Sequence, residues 1–423
     1  MAVVFTLAFV LAAGFLHTVD CEDNGLGLFP PLGWNSWCTW ASCGQKGASG
    51  KMHDVCNETE IRSVAEAMLS NGMHALGYEY INLDDCWGSE ERAADGSIQA
   101  DKNRFPSGIK NLTDWLHSKG LKFGLYTSAG VTTCSSGERP KPIPGSYGHY
   151  EQDAQTFADW GVDYVKIDWC NTKVNGTELD YEKVHTEFSK GLNATGRPIF
   201  LGLCRGYPYP PPDYTRQVAN AWRVNGDHHD EWSKTAEIIE LMAPKEIADF
   251  AGPGGWNDPD FLMTGGAGCD EAASTHCPGM TDTEYVTEFT IWAITASNLL
   301  VSTDIRNLTD IMKTILLNEE VVAVHQDKLR KAGYRVGTWH CSDGSAHCQL
   351  WARPLNGGAY AVALYNADSE SHDITFEFDL IGWSGEATVR DLWAKKDLGV
   401  KSGEFSMKVP SHGSVFLKLT KPT

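Results

Sequence analysis

From Gly25 onward the chain alternates short β-rich apolar runs with segments whose apolar residues return every three or four positions. Runs of the first kind suit strands, and the second spacing suits helices with one apolar side. Eight strands are predicted, at 31–37 (PLGWNSW), 78–85 (YEYINLDD), 121–127 (LKFGLYT), 162–169 (VDYVKIDW), 198–204 (PIFLGLC), 220–224 (NAWRV), 250–258 (FAGPGGWND) and 298–305 (NLLVSTDI). After the first run, Ile61, Val64, Ala65, Met68 and Leu69 mark one face of a helix that ends at Gly72, and similar segments occupy 149–160, 180–192, 231–242, 283–296 and 309–324. Eight βα units can close into a (β/α)8 TIM barrel without leaving a sheet edge.

Past residue 330 the period changes to alternating runs with turn residues between them: HCQLWARPL, GAYAVALYNA, HDITFEFDLI, EATVRDLWA and GSVFLKLT. These predict a small C-terminal antiparallel β-sandwich. The expected organisation is a barrel over 21–328 and a sandwich over 329–423, preceded by a signal peptide over 1–20, where an apolar run carries no acidic residue before Asp20. No later run is long enough to cross a bilayer, so a product of the secretory pathway, secreted or lysosomal or vacuolar, is expected.

Composition sharpens this picture in two ways. A formal net charge of -20 repels phosphates and so argues against nucleic acid as a partner. Twelve cysteines fit an oxidising compartment. Cys269 with Cys277 and Cys341 with Cys348 look like loop staples, and Cys134 and Cys170, each just past a predicted strand, can bridge those strands. Cys38, Cys43, Cys56 and Cys86 allow three pairings, and Cys21 and Cys204 have no evident partner. Sequons stand at Asn57, Asn111, Asn175, Asn193 and Asn307. No metal site is expected: no C-x-x-C occurs, and the adjacent His228 and His229 in GDHHDEW are poorly placed to share one ion.

In a barrel of this kind chemistry gathers at the carboxyl ends of the strands. Those ends carry Asp84, Asp85, Lys166, Asp168, Arg223, Asp227, Asp258 and Asp260. In YVKIDWC, Tyr164, Lys166 and Asp168 alternate onto one face and point into the barrel mouth. A lysine beside a carboxylate lowers its pKa and keeps it ionised, as a nucleophile requires. Two carboxyl groups flanking a bond suffice for glycoside cleavage.

PLGWNSW, EYINLDDCW, GLKFGLYTSAG followed by Cys134, ADWGVDYVKIDWC, AWRVNGD and GGWNDPDFL, in this order, resemble glycoside hydrolase family 27, the α-galactosidase and α-N-acetylgalactosaminidase family, from Gly25 to the C-terminus. The resemblance implies hydrolysis of terminal α-galactosides by a retaining double displacement that needs no cofactor. It implies Asp168 as nucleophile and Asp227, four residues after Arg223, as acid/base. Trp37 matches the sugar platform, Asp84 and Asp85 the pair binding the 4- and 6-hydroxyls, and Tyr126, Lys166, Arg223 and Asp260 further binding positions. The loop after the fifth strand departs from the family pattern. It reads LCRGYPYPPPDY, so that Cys204 is followed by Arg205 and Gly206, with Tyr207 or Tyr209 able to refill the space facing the sugar 2-position. Galactose against N-acetylgalactosamine is therefore open, with α-N-acetylgalactosaminidase the nearest alternative, β-L-arabinopyranosidase behind it, and a non-catalytic galactose-binding lectin the alternative from another class. Oligosaccharide, glycolipid and glycoprotein aglycones, and a homodimer, stay open as well.

Overall fold

The computed structural model describes residues 23–39, 56–135, 141–204, 211–266, 278–339 and 347–422. The expected signal peptide lies outside them. Eight parallel strands form one curled sheet: β1 (Leu32–Asn35), β2 (Tyr80–Leu83), β3 (Lys122–Ser128), β4 (Tyr164–Asp168), β5 (Phe200–Cys204), β6 (Ala221–Arg223), β7 (Trp256–Asp258) and β8 (Leu299–Val301). Their spatial order is β8-β1-β2-β3-β4-β5-β6-β7. The remaining gap, between β7 and β8, is closed by Leu262 beyond the end of β7: its N–H donates to Leu300 O at 2.9 Å, and Ser302 N–H donates to its carbonyl at 2.8 Å. The predicted TIM barrel is thus present, closed at this seam by one residue of a loop rather than by a ladder.

Inside the barrel, small residues on one strand admit large ones from the next. A Cβ on Gly202 of β5 would stand 2.3 Å from Tyr164 Oη, so only glycine there lets Tyr164 of β4 turn inward. The Tyr164 ring then stacks on Phe200 at 4.9 Å and meets Tyr80 edge-on at 6.0 Å. With Tyr164 fixed inward, the period of two sends Lys166 and Asp168 to the same side, one and two steps nearer the mouth.

The surrounding helices follow the apolar spacing. In α1 (Glu58–Ser70) Ile61, Val64, Ala65 and Met68 are buried, and the Asn57 side chain caps the first turn by accepting from Glu60 N–H. The segments predicted from 149, 180, 231 and 283 form α3 (Tyr150–Asp159), α4 (Tyr181–Ala194), α6 (Trp232–Met242) and α8 (Asp282–Ile294). The single helix predicted over 309–324 is in fact two, α9 (Asp310–Leu316) and α10 (Glu319–His325), because Asn318 between them turns extended and caps the second. Three helices went unpredicted: α2 (Ile109–Ser118), the short α5 (Tyr214–Val218) and α7 (Lys245–Phe250). The last overturns the strand expected from Phe250, which begins only at Trp256 after a Gly252–Gly255 turn.

The C-terminal part contains β9 (Tyr334–Trp339), β10 (Cys348–Pro354), β11 (Tyr360–Asn366), β12 (His372–Glu377), β13 (Glu386–Asp391), β14 (Lys396–Ser402), β15 (Glu404–Val409) and β16 (Ser414–Thr420). Six of them make an antiparallel sheet in the order β9-β10-β11-β16-β13-β14, and β12 pairs with β15 as a second, two-stranded sheet. Leu350, Val362, Leu364, Ile374, Phe376, Val409 and Leu417 fill the space between the two sheets. The other face of the larger sheet packs Trp351, Ala361, Ala363 and Phe416 into the same core as the barrel helices. Wholly buried Arg353 donates across this junction to Ala293 O at 2.9 Å and His325 O at 3.2 Å. No helix among the described residues is long and apolar enough to cross a membrane.

Candidate active site

The sequence-selected residues converge on the carboxyl ends of the barrel strands. On one side, Lys166 Nζ is 2.9 Å from Asp84 Oδ2 and lies over three rings, those of Phe261 at 5.1 Å, Tyr126 at 5.3 Å and Trp37 at 5.4 Å. An ammonium held among ring faces and one carboxylate stays charged despite burial. Burial works against the Lys166 charge, but Asp84 and the other acidic groups outweigh it and hold its pKa well above the ordinary value. Phe261 was not singled out from the sequence, although it stands inside the GGWNDPDFL stretch.

Asp84 and Asp85 are both buried but differently held. Asp84 N–H donates to Ser36 Oγ at 2.9 Å, and Asp84 Oδ1 accepts from Asp85 N–H at the same distance. Asp85 Oδ2 accepts from Ser135 N–H at 2.8 Å. Burial pushes the Asp85 carboxyl up to about 6, the Ser135 N–H opposes this, and neighbouring Asp84 adds to it. Ser135 belongs to the loop after β3 that Cys134 anchors: the Cys134–Cys170 disulfide ties that loop to the end of β4, and Tyr126 Oη donates to Cys134 Sγ at 2.9 Å. Cys134, Asp168 and Cys170 lie close enough together to suggest a metal site, but two of the three sulfur and oxygen donors are already joined to each other.

Asp168 ends β4 at the mouth, in register with Ser128 on β3 and Cys204 on β5. Its Oδ1 accepts from Trp169 N–H at 2.8 Å. The expectation that Lys166 would hold it below the ordinary carboxylate pKa needs correcting. Burial is the larger influence and leaves the carboxyl above its ordinary value, with Lys166 opposing and Asp84 and Asp227 adding to the rise. Cys204 is a free, buried thiol with Arg223 Nη1 3.4 Å from its sulfur.

The opposite side is organised by buried Arg223. Its Nη2 donates to Gly226 O at 2.7 Å and lies 3.0 Å from Asp260 Oδ2 and 3.2 Å from Asp227 Oδ1. Asp227 is the half-exposed member. Burial raises its carboxyl, but Arg223 and Lys166 together outweigh this and hold it below the usual range. Asp260, a non-glycine residue at φ +81°, is pushed to about 6 by burial against the pull of Arg223. Its N–H donates to Asp258 Oδ1 at 2.9 Å. His228 is wholly buried, and both ring nitrogens have partners, Phe261 O and Thr235 Oγ1, each at 2.8 Å; neither is left for a metal.

Of the expected staples, Cys134–Cys170 forms; the four-cysteine set resolves with Cys56 bonded to Cys86 and Cys38 also in a disulfide. Cys348 is disulfide-bonded. Arg205, Gly206, Tyr207, Tyr209, Cys269, Cys277 and Cys341 lie outside the described residues.

A closed parallel barrel with carboxylates and two cations gathered at one mouth, followed by an antiparallel sandwich, defines a glycoside-hydrolase architecture. The chain belongs to glycoside hydrolase family 27, the α-galactosidase family. The family profile described as Alpha galactosidase A matches residues 29–327, and that of the alpha galactosidase C-terminal beta sandwich domain matches 345–419. An alpha-galactosidase of Coffea arabica is 42% identical over 401 residues, covering 94% of this chain and 95% of that one. One of Cyamopsis tetragonoloba is 40% identical over 402 residues, covering 94% and 88%. The crystal structure of alpha-galactosidase I from Mortierella vinacea superimposes with a TM-score of 0.79 at 30% identity, over 95% of this chain and 99% of that one.

Proposed function

We propose that the protein hydrolyses terminal non-reducing α-D-galactosides with net retention, through a covalent galactosyl-enzyme on Asp168. The observation that carries this reading is the position of Asp168: half-buried at the carboxyl end of β4, with Lys166 two residues before it and the Arg223–Asp227 pair two strands away at the end of β6. Asp168 attacks the anomeric carbon while Asp227 gives a proton to the leaving oxygen. Asp227 then takes a proton from the water that releases galactose.

In the free protein Arg223 keeps Asp227 ionised, whereas the first step needs it protonated. A bound sugar buries the half-exposed carboxyl and draws Arg223 toward a sugar hydroxyl. Both changes raise the Asp227 pKa and move it toward the acid role. Conversely, an ion pair between Lys166 and Asp84 at the mouth leaves donors and acceptors already oriented for the ring hydroxyls. Trp37, beside Lys166, offers its ring to the apolar face of the sugar. The oxidising compartment implied by Cys56–Cys86 and Cys134–Cys170 agrees with a secreted or lysosomal setting.

The test is product stereochemistry together with Asp168→Asn. Fresh hydrolysate of an aryl α-galactoside should contain α-galactose before mutarotation, as followed by proton NMR. Asp168→Asn should keep the native circular dichroism and lose on the order of a thousandfold or more in kcat. β-Galactose as first product, or a folded Asp168→Asn variant with near-normal turnover, would overturn the assignment.

A further inference from the structure

The backbone that carries Asp227 is held on both sides. Before it, Gly226 O accepts from Arg223 Nη2 at 2.7 Å and from Asn225 Nδ2 at 2.5 Å. After it, the His228 peptide N–H donates to Asp260 Oδ2 at 2.7 Å. The Asp227 carboxyl therefore sits between two anchors, and the second belongs to a residue whose side chain the catalytic scheme does not use.

That side chain is unusually constrained. Phe261 O can only accept, so His228 Nδ1 carries the proton, and Nε2 accepts from the Thr235 hydroxyl. Burial lowers the imidazole pKa to about 4, which keeps the ring neutral and this tautomer in place. The ring lies 5.5 Å from that of Trp292, whose Nε1 donates to Asp260 O at 2.9 Å. Glu288 Oε1 is 3.8 Å from Nδ1 and accepts from Met263 N–H at 2.7 Å. One imidazole thus links the loop after β6 to the loop after β7, to α6 through Thr235 and to α8 through Trp292. An apolar side chain of similar volume would fill the same space, but it would supply neither directional bond. Those bonds fix the rotation of residue 228 and, through it, the peptide that follows Asp227.

We propose that His228 is a positioning residue for Asp227: its peptide and ring hydrogen bonds hold the Asp227 carboxyl in line with the leaving oxygen, without touching substrate. The proposal rests on the reading of Asp227 as acid/base. Its signature is selective. Misplacing a proton donor penalises leaving groups that need protonation and spares those that depart as stable anions.

The experiment measures kcat/KM, which reports the first irreversible step, for two galactosides with each variant. One carries a dinitrophenyl aglycone and the other a simple alkyl aglycone. His228→Leu should lose about tenfold or more on the alkyl galactoside, as expected for a displaced catalytic group, and less than about threefold on the dinitrophenyl one. KM should change little. His228→Asn, which keeps an N–H near the place of Nδ1, should recover most of the loss. Should His228→Leu fail to fold, Thr235→Val removes only the hydroxyl donor and should show a smaller loss with the same leaving-group dependence. Equal losses on both substrates, or a loss confined to KM, would overturn the positioning role. Asp227→Asn measured alongside separates the two claims: without a leaving-group-dependent loss in that variant, the acid/base assignment itself falls.

Discussion

Lys166 Nζ and Asp84 Oδ2, 2.9 Å apart, join the ends of β4 and β2 across the intervening β3. The pair passes beside the Tyr126 ring on that middle strand. Side-chain exposures of 12% for the lysine and 2% for the aspartate leave little room for water to replace either partner.

Asp84→Asn therefore leaves a buried ammonium short of its main counter-charge. Breaking a buried pair in this way destabilises by about 3 kcal/mol. The variant should unfold at a lower temperature in a calorimetric scan and raise KM for galactosides more than it lowers kcat. An unchanged melting temperature would mean that the ammonium relaxes toward other carboxylates.

The Cys134–Cys170 bridge closes 36 residues and holds Ser135 against Asp85 and the Cys134 sulfur against Tyr126. Loop-closure entropy assigns such a bridge about 3–4 kcal/mol. Replacing both cysteines by serine should lower stability by that order and, on the proposed reading of Asp85 and Tyr126 as sugar-binding residues, weaken substrate binding as well, because both lose a contact. Equilibrium denaturation and KM, measured on the same preparation, separate the two effects. Loss of stability with KM intact would show that Asp85 and Tyr126 hold their places without the staple.

The pH dependence of stability follows from groups whose protonation differs between folded and unfolded chains. Asp85 and Asp260 titrate near 6 when folded, and Asp168, Asp258 and Glu288 are raised too. A raised carboxyl binds its proton more readily in the folded state, so its contribution grows as pH falls through the folded value and is complete below the unfolded one. His228 and His325, lowered to about 4 and about 3 by burial, act oppositely: the unfolded chain takes up their protons first, and stability is lost as pH falls below the unfolded value. Between about pH 7 and pH 5 Asp85 and Asp260 offset the two imidazoles, and Glu288, raised well above its ordinary value by burial, tips the balance. The melting temperature should rise between about pH 7 and pH 5, then fall below about pH 4 as the carboxyl contribution saturates. A steady decline from pH 7 to pH 5 would contradict the assignment of these raised carboxyls.

The barrel was legible because its strands are continuous apolar runs ending in acidic or glycine-rich turns, and the alternation of Tyr164, Lys166 and Asp168 survives into the structure. The sandwich was less so. Strand β14 is exposed at most positions and β15 alternates between exposed and half-buried residues, so neither carries an apolar signature. Strand pairing there comes from neighbours and not from local pattern. Phe250 misled for the opposite reason: a hydrophobic residue next to glycines reads as strand, while in space it ends α7 and meets Trp222 edge-on. At the site, residue types and strand ends could be read, but two things could not. The sign of the Asp168 shift depends on burial, which outweighs the adjacent lysine. The His228–Asp260 contact joins loops 32 residues apart.

The seam at Leu262 gives this geometry a mechanical meaning. Seven of the strand-to-strand contacts around the barrel are ladders, whereas the eighth is a stitch made by a residue two positions beyond Asp260 and next to Phe261. The stave that completes the cylinder and the wall that faces Lys166 are consequently the same short stretch of chain. A fluctuation that parts the barrel at this single bridge displaces the side of the mouth facing Lys166 in the same movement, while the seven ladders stand.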